Sequence, residues 1–296
     1  MIRVRVPATS ANMGPGFDSL GIAFNLYNEY GFSEIDSGVV FKGIPEEFCN
    51  TENIIYEAMI KCFKKGQYKF TGIKIEVIKQ DVPISRGLGS SSSCIVAGLV
   101  GANCIMGNKF TQDELLNIAV EMEGHPDNVA PAMFGDMIVA VMEEKVTVYN
   151  KIHIKPGIKF IGLIPDFRLS TKEARDVLPK QISIKQGIYN ISRAALMVSC
   201  FSTGNYETLK YACGDALHQN YRSKLIKYYD DVYNECYKLG AIGCFLSGAG
   251  PTIMAIIKDE DSDFLIGIKN FLKEKNINWN VVELEIDNHG AVILGE

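Results

Sequence analysis

The chain has 296 residues, of which 47% are hydrophobic and 22% are charged. This composition is typical of a globular enzyme and excludes extended disorder. The formal net charge is −5 and the lysines and arginines are scattered, so we expect no nucleic-acid partner. No uninterrupted apolar run reaches the roughly 20 residues of a membrane-spanning helix, and we therefore expect no membrane partner.

The eight cysteines lie between Cys49 and Cys244 and include no Cys-x-x-Cys pair. Most of them, such as Cys94 and Cys104, lie within apolar stretches. Because free cysteine is commonly buried, we interpret them as reduced core thiols and expect a cytoplasmic protein. A zinc site would need clustered ligands, which this spacing does not provide.

In the first half of the chain, the predicted strands outnumber the predicted helices. Residues 2–6 alternate between apolar and charged, which predicts a first strand with one buried face, and the small residues over 7–18 predict a loop. Further strands are predicted over 23–35, 39–42 and 73–78, and helices over 52–65, 92–106 and 111–123. The helix over 92–106 is small and apolar, which predicts close packing through Gly98 and Gly101.

The second half begins after turn residues at 150–156, where we place a boundary between domains 1–155 and 156–296. Strands are predicted over 136–148 and 158–164, helices over 185–201, 206–213 and 225–239, and then strand, glycine loop, strand, helix and strand. The strands and helices alternate without a regular βαβ rhythm. This pattern favours an α+β fold over a doubly wound sheet.

The strongest local motif is GLGSSSS at residues 87–93, between a predicted strand and a predicted buried helix. Glycines let a backbone approach a ligand, and the N–H groups and dipole of a helix N-terminus attract anions, so this motif suits phosphate. A loop that only caps a helix is the alternative. The chain contains no Gly-Lys pair and no complete dinucleotide fingerprint, which excludes the two most familiar phosphate loops.

Two further segments concentrate polar or turn-forming residues. The segment 121–128, EMEGHPDN, suits metal or substrate binding, or it is a solvated turn after a helix. The segment 247–252, SGAGPT, is by itself a tight turn between two strands. Arg175 and Arg222 are surface arginines by default.

Taken together and in chain order, these motifs resemble those of the GHMP kinases, which are named for galacto-, homoserine, mevalonate and phosphomevalonate kinases. The similar segments are PATSAN at residues 7–12, the loop at 83–91 and the Gly-x-Gly-Pro segment at 248–251. The resemblance implies an α+β, two-domain GHMP kinase fold. Its N-terminal, ATP-binding domain would be like domain 2 of ribosomal protein S5, and its C-terminal domain a ferredoxin-like α/β sandwich.

Residues 12–18, 124–131 and 171–175 are most similar to the branch of the family that acts on L-homoserine. The resemblance implies transfer of the γ-phosphoryl group of ATP to the side-chain hydroxyl of L-homoserine, giving O-phospho-L-homoserine on the route to threonine. A mevalonate-type kinase and a catalytically inactive sensor of ATP or a metabolite are the alternatives. Asn220, where the family more often has proline, and Arg86, inside the phosphate loop, depart from the family pattern. A homodimer is compatible with this family, although no separate sequence argument supports one.

The resemblance also implies roles for individual residues. The ATP phosphates would lie against Pro83, Ile84, Ser85, Arg86, Gly87, Leu88, Gly89, Ser90, Ser91, Ser92 and Ser93. The substrate-binding residues would be Asn12, Asp18, His125, Asp127, Arg175 and Arg222. Ser91 and Glu123 would hold Mg²⁺, because hard oxygen donors suit that ion. The catalytic residues would be Asn12, Glu123 and Thr171, with Asn12 and metal polarisation replacing a dedicated general base.

Overall fold

The first of two β-sheets in the computed structural model, which describes residues 1–295, has seven strands. Six of them come from the first half of the chain: β1 Ile2–Ala11, β2 Leu20–Ile35, β3 Gly38–Lys42, β4 Gly72–Gln80, β5 Met137–Glu143 and β6 Val146–Ile152. The seventh, β11 Val292–Leu294, comes from the end of the chain and pairs with β1. The order is β11-β1-β2-β4-β3, with β5 paired to β2 and β6 to β5, and only the β3–β4 pair is parallel.

Four helices pack on this sheet: α1 Ile54–Lys65, α2 Ser90–Ile105, α3 Gln112–Glu123 and α4 Pro126–Phe134. Helix α2 lies at their centre, where a Cβ on Gly98 would be 2.5 Å from the Ile55 carbonyl oxygen and one on Gly101 would be 2.4 Å from the Phe32 ring. The predicted close packing through these glycines is confirmed. Helix α2 also packs against β1, so the phosphate loop that precedes it is carried by the core of this sheet.

The second sheet is antiparallel, with the order β10-β7-β9-β8. Its strands are β7 Ile158–Pro165, β8 Gly243–Leu246, β9 Ile253–Lys258 and β10 Trp279–Leu284. The helices of this half are α5 Thr171–Asp176, α6 Ile184–Thr203, α7 Leu209–Ala212, α8 Gln219–Arg222, α9 Tyr229–Lys238 and α10 Asp263–Glu274. The chain passes from the first sheet to the second between β6 and β7, near the proposed boundary at 155/156. Its last strand, β11, belongs to the first sheet again. The division into domains 1–155 and 156–296 stays a prediction.

Several sequence predictions are wrong at the ends of elements. Strand β1 continues through residues 7–11, which were predicted as loop, because these small residues pair with β2 and are buried. The single strand predicted over 136–148 is a hairpin of β5 and β6. The segment 121–128, for which a turn after a helix was one interpretation, contains the end of α3 and the start of α4, with Pro126 at the first position of α4, where a missing N–H costs nothing.

The eight thiols are all free. Five are buried as predicted, Cys94 and Cys104 are partly exposed, and Cys49 is exposed, so the core prediction is wrong for Cys49. Within residues 1–295, no helix combines the length and the apolarity needed to cross a bilayer.

Candidate active site

A cleft of about 600 Å³ gathers most of the predicted site residues. It is bounded by the phosphate loop, the α3–α4 junction, α5, α8 and the turn at 248–250. The predicted residues that line it are Asn12, Asp18, Ile84, Ser85, Arg86, Gly87, Gly89, Ser90, Ser91, Glu123, His125, Asp127, Thr171, Arg175 and Arg222. Four predicted ATP-binding residues, Pro83, Leu88, Ser92 and Ser93, are not among the lining residues.

The phosphate loop presents backbone donors to this cleft. Gly89 caps α2 in a left-handed conformation (φ +70°), and the N–H of Ser93 donates to the Gly89 carbonyl oxygen at 2.9 Å. This is the first backbone hydrogen bond of α2. The N–H groups of Ser90, Ser91 and Ser92 lie in the first turn, have no partner within the helix and point out of its N-terminus, which is the arrangement that binds anions. Ser93 itself is turned inward, because its hydroxyl lies 2.8 Å from the Tyr30 hydroxyl.

Gly89 has no room for a side chain. A Cβ there would be 1.9 Å from Thr9 Oγ1, and its positive φ disfavours other residues. We expect Gly89→Ala to lower the free energy of unfolding by more than about 1 kcal/mol and to raise the KM for ATP, as measured by chemical denaturation and steady-state kinetics. Gly107→Ala, also at positive φ (+78°) but with nothing within 4 Å of its Cβ, is the control for backbone strain alone. Equal effects in both variants would contradict a role for this contact.

Arg86 braces the loop through hydrogen bonds to the backbone. Its guanidinium donates to three backbone carbonyl oxygens, those of Pro165 (2.9 Å), Ile84 (3.2 Å) and Asp166 (2.6 Å). Thr252 Oγ1 in turn donates to the Arg86 carbonyl oxygen at 2.5 Å. The segment 247–252 is therefore more than a turn between β8 and β9, since it also supports the phosphate loop.

A carboxylate lies beside the loop at the end of α3. Glu123 Oε1 accepts hydrogen bonds from Ser92 Oγ at 2.9 Å and from Ser91 Oγ at 3.3 Å. Gly124, in the left-handed conformation, ends α3 and directs the chain into α4. Glu121, two residues earlier, faces away and pairs with Lys61 at 3.0 Å and Lys65 at 3.1 Å.

A cluster of three titratable side chains follows at the start of α4. His125 Nδ1 lies 2.5 Å from Asp127 Oδ1, and Asp127 is 1% exposed. Burial lowers the pKa of His125, but the hydrogen bond to Asp127 and the nearby charges of Asp18 and Glu123 raise it, leaving the pKa above its ordinary value. One atom each from Asp18, His125 and Asp127 lies within 4.8 Å of the others. This concentration of negative charge suits a cation such as an ammonium group.

Two arginines provide the opposite charge. Arg175 is exposed, as expected, and pairs with Asp18 at 3.0 Å. Arg222 is 2% exposed, which the default expectation of a surface arginine missed, and it donates to the carbonyl oxygens of Ala174 and Gly248 at 3.0 Å each. Within residues 1–295 no carboxylate lies within 4 Å of its guanidinium. Burial and the neighbouring Arg175 lower the pKa of Arg222 to about 10, so it remains charged at neutral pH.

Asn12 has left-handed geometry (φ +65°), and its side chain is largely committed to the protein. Its Nδ2 donates to the Gly248 carbonyl oxygen at 3.0 Å, and its Oδ1 accepts from the Asp18 N–H at 3.0 Å. One Nδ2 hydrogen remains for a ligand. Thr171 is the first residue of α5 and lines the cleft.

One wall of the cleft was missed by sequence reasoning. It consists of Gly43, Ile44, Pro45, Glu47, Phe48, Asn50, Glu52, Asn53 and Ile54, between β3 and α1. Asn128 was also missed; it lines the cleft and accepts a hydrogen bond from Thr9 Oγ1 at 2.8 Å. The one local signal in the wall was Asn53, which caps α1 by accepting from the N–H of Ile55 at 3.0 Å.

Comparison with known proteins agrees with this geometry. Residues 53–136 match the family model for the GHMP kinases N terminal domain, and residues 197–266 match that for the GHMP kinases C terminal domain. A homoserine kinase of Clostridium botulinum (strain Alaska E43 / Type E3) is 66% identical over 294 residues, which cover 99% of each chain. The chain belongs to the GHMP kinase family. A homoserine kinase of Clostridium beijerinckii is 65% identical over the same length, so the predicted homoserine kinase branch is also confirmed.

Superposition on solved structures shows that the GHMP kinase fold extends over nearly the whole chain. A homoserine kinase from Cytophaga hutchinsonii superposes with a TM-score of 0.88 at 28% identity, covering 99% of this chain and 97% of that one. A mevalonate kinase from L. major, at 16% identity, superposes with a TM-score of 0.71 over 96% of this chain and 95% of that one, which shows the fold alone. The predicted α+β, two-domain GHMP kinase fold is confirmed, and the chain is an enzyme of this kinase family.

Proposed function

We propose that this GHMP kinase transfers the γ-phosphoryl group of ATP to the side-chain hydroxyl of L-homoserine, giving O-phospho-L-homoserine for threonine synthesis. The buried Arg222 carries the proposal, because its guanidinium lines the cleft without a carboxylate partner in residues 1–295. An uncompensated buried charge is costly, and a substrate carboxylate would compensate it. The names of the full-length relatives support the same substrate.

The amino-acid end of the cleft offers both charges that a zwitterion needs. Arg175 and Arg222 would hold the carboxylate, since guanidinium groups match carboxylates. Asp18 and Asp127 would hold the ammonium group, with His125 orienting Asp127 through the 2.5 Å contact. A bound amino acid replaces the internal Arg175–Asp18 pair charge for charge. Mevalonate, which lacks an ammonium group, would leave the acidic cluster unpaired.

The other end of the cleft suits a nucleotide. The N–H groups of Ser90–Ser92 and the backbone of the loop from residue 84 would hold the ATP phosphates. The wall formed by residues 43–54 includes Ile44, Pro45 and Phe48, which suit the apolar faces of a purine. Pro83 and Ser93 are not carried into the proposal, because Pro83 has no N–H and both groups of Ser93 are engaged within the protein.

Ser91 and Glu123 fit a magnesium site. Their oxygens lie 3.3 Å apart beside the phosphate loop, and Mg²⁺ prefers hard oxygen ligands with several positions left to phosphate and water. Bound there, the ion would neutralise charge on the transferring phosphoryl group. Ser92 holds Glu123 in place through its 2.9 Å hydrogen bond. Ser92 thus has a supporting role, which replaces the direct ATP contact expected from the sequence.

Asn12 and Thr171 would act by orienting the reacting groups. Phosphoryl transfer depends chiefly on positioning and charge stabilisation. The remaining Nδ2 hydrogen of Asn12 would orient the substrate hydroxyl, and Thr171, at the start of α5, would lie near the γ-phosphate. No dedicated general base is required by this proposal. The eight free thiols support a cytoplasmic location as part of it.

The function is tested by ADP release with Mg²⁺-ATP and equal concentrations of L-homoserine, L-threonine, mevalonate or galactose. We expect homoserine to give the highest kcat/KM, and ³¹P NMR to identify O-phosphohomoserine as the product. Threonine carries the same charges, so it controls for the position of the hydroxyl. Turnover of mevalonate or galactose alone would overturn the amino-acid pocket, and ATP binding without any turnover would indicate a sensor.

A further inference from the structure

Phe17 lies close to both arginines, and it has no assigned role although it belongs to the recognised segment 12–18. It lies in the loop between β1 and β2, and its ring centroid is 5.5 Å from Arg175 Cζ and 5.2 Å from Arg222 Cζ. The same ring stacks on His218, with the centroids 5.3 Å apart and the planes at 29°. One aromatic side chain therefore contacts groups from α5 and from both ends of α8.

The contact has an electrostatic consequence. The two guanidinium groups repel each other, which is one reason that the pKa of Arg222 is lowered. The face of an aromatic ring is electron-rich and attracts cations, more strongly where water is excluded. Arg175 also has Asp18, whereas Arg222 has no carboxylate within 4 Å in the described chain. The Phe17 ring thus offsets part of the repulsion before a substrate arrives.

The ring is held in place by a buried polar network. His218 Nε2 donates to the Gly14 carbonyl oxygen at 2.7 Å, which leaves Nδ1 to accept from Arg222 Nη1 at 3.4 Å. Asn190 Nδ2 donates to the Pro15 carbonyl oxygen at 3.0 Å. The loop that carries Phe17 is therefore tied to α6 and to the start of α8, and the ring is preorganised.

We propose that Phe17 is a positioning residue for the substrate carboxylate. Its ring holds the guanidinium groups of Arg175 and Arg222 against their mutual repulsion, so that both can bind one carboxylate. The inference rests on the proposed function and adds to it a determinant of affinity for the amino-acid substrate. Phe17 is not among the residues that line the cleft, and it acts through the arginines.

The test replaces the ring while keeping an apolar side chain. We expect Phe17→Leu to raise the KM for homoserine about three- to thirty-fold, with the KM for ATP unchanged and kcat little affected. Phe17→Tyr, which keeps the ring, should restore the wild-type KM for homoserine. Phe271, a partly buried phenylalanine on α10 that is not among the residues that line the cleft, provides the matched control: Phe271→Leu should leave both KM values unchanged.

A second measurement separates electrostatics from packing. Pentafluorophenylalanine at position 17 keeps the shape of the ring but reverses its quadrupole, so it should also raise the KM for homoserine. An unchanged KM for homoserine in this variant, or equal rises in both KM values with a lower melting temperature, would overturn the proposal. Failure of the wild-type enzyme to phosphorylate homoserine would instead overturn the proposed function.

Discussion

Arg222→Met is expected to lower kcat/KM for homoserine on the order of 10²- to 10³-fold, because it removes a desolvated cation that would pair with the substrate carboxylate. Methionine keeps an extended apolar side chain in the buried position, so the fold should persist. The carbonyl oxygen of Ala174 would lose its donor from Arg222, and that of Gly248 would keep only the donor from Asn12, which should lower the melting temperature. Steady-state kinetics with homoserine varied at saturating ATP would measure the effect.

Two further variants sharpen this result. Arg222→Lys keeps the charge but loses the planar fork, and should fall between wild type and Arg222→Met. Arg193→Met removes another partly buried arginine, which lies over the Tyr189 ring on α6 and is not among the cleft-lining residues, and should leave kcat/KM unchanged. A KM for homoserine within threefold of wild type in Arg222→Met would contradict the carboxylate site.

Glu123→Gln is expected to lower kcat on the order of 10²-fold or more and to raise the Mg²⁺ concentration needed for half-maximal activity. The amide oxygen can still accept from Ser92 Oγ, so the junction of α3 and α4 should remain intact, but the negative charge that would hold the ion is lost. Initial rates measured across a Mg²⁺ titration at fixed ATP would separate the two effects.

Glu121→Gln is the matched control for this prediction. It is the same substitution two residues earlier on α3, at a carboxylate paired with Lys61 and Lys65 and not among the residues that line the cleft. We expect wild-type kcat and Mg²⁺ dependence from this variant. An unchanged Mg²⁺ dependence in Glu123→Gln would move the metal away from Ser91 and Glu123, and the cluster of Asp18, His125 and Asp127 would be the next position to test.

Local sequence patterns predicted the elements whose stabilising contacts are themselves local. A helix was predicted over 111–123, and it begins with a capping box in which Thr111 Oγ1 accepts from the Glu114 N–H at 3.3 Å and Glu114 Oε2 accepts from the Thr111 N–H at 2.8 Å. The end of β1 was not predicted, because residues 7–11 are small and do not alternate between apolar and polar. Only their pairing with β2, for example Thr9 with Ala23, makes them a strand.

The residues of the candidate site were likewise predicted where their pattern is local in sequence and missed where it is not. The phosphate loop and the α3–α4 junction are each formed by consecutive residues, so a compact motif predicts each of them. The cleft wall at residues 43–54 has no comparable pattern, because apolar contacts with a ligand are non-directional and demand no fixed residue types. Phe17 was missed although it lies inside a recognised segment, since its partners on α5 and α8 are distant in the chain.

The residue types alone define the chemistry available to this protein: glycines that allow a phosphate loop, a carboxylate and serines for a metal, and arginines and aspartates for a zwitterion. The pairing of these groups depends on how the chain folds. Arg175 meets Asp18 across 157 positions, and Asn12 and Arg222 meet at the carbonyl oxygen of Gly248. Such partners are brought together by sheet pairing and core packing, and burial then determines which charge, that of Arg222, is left for a ligand.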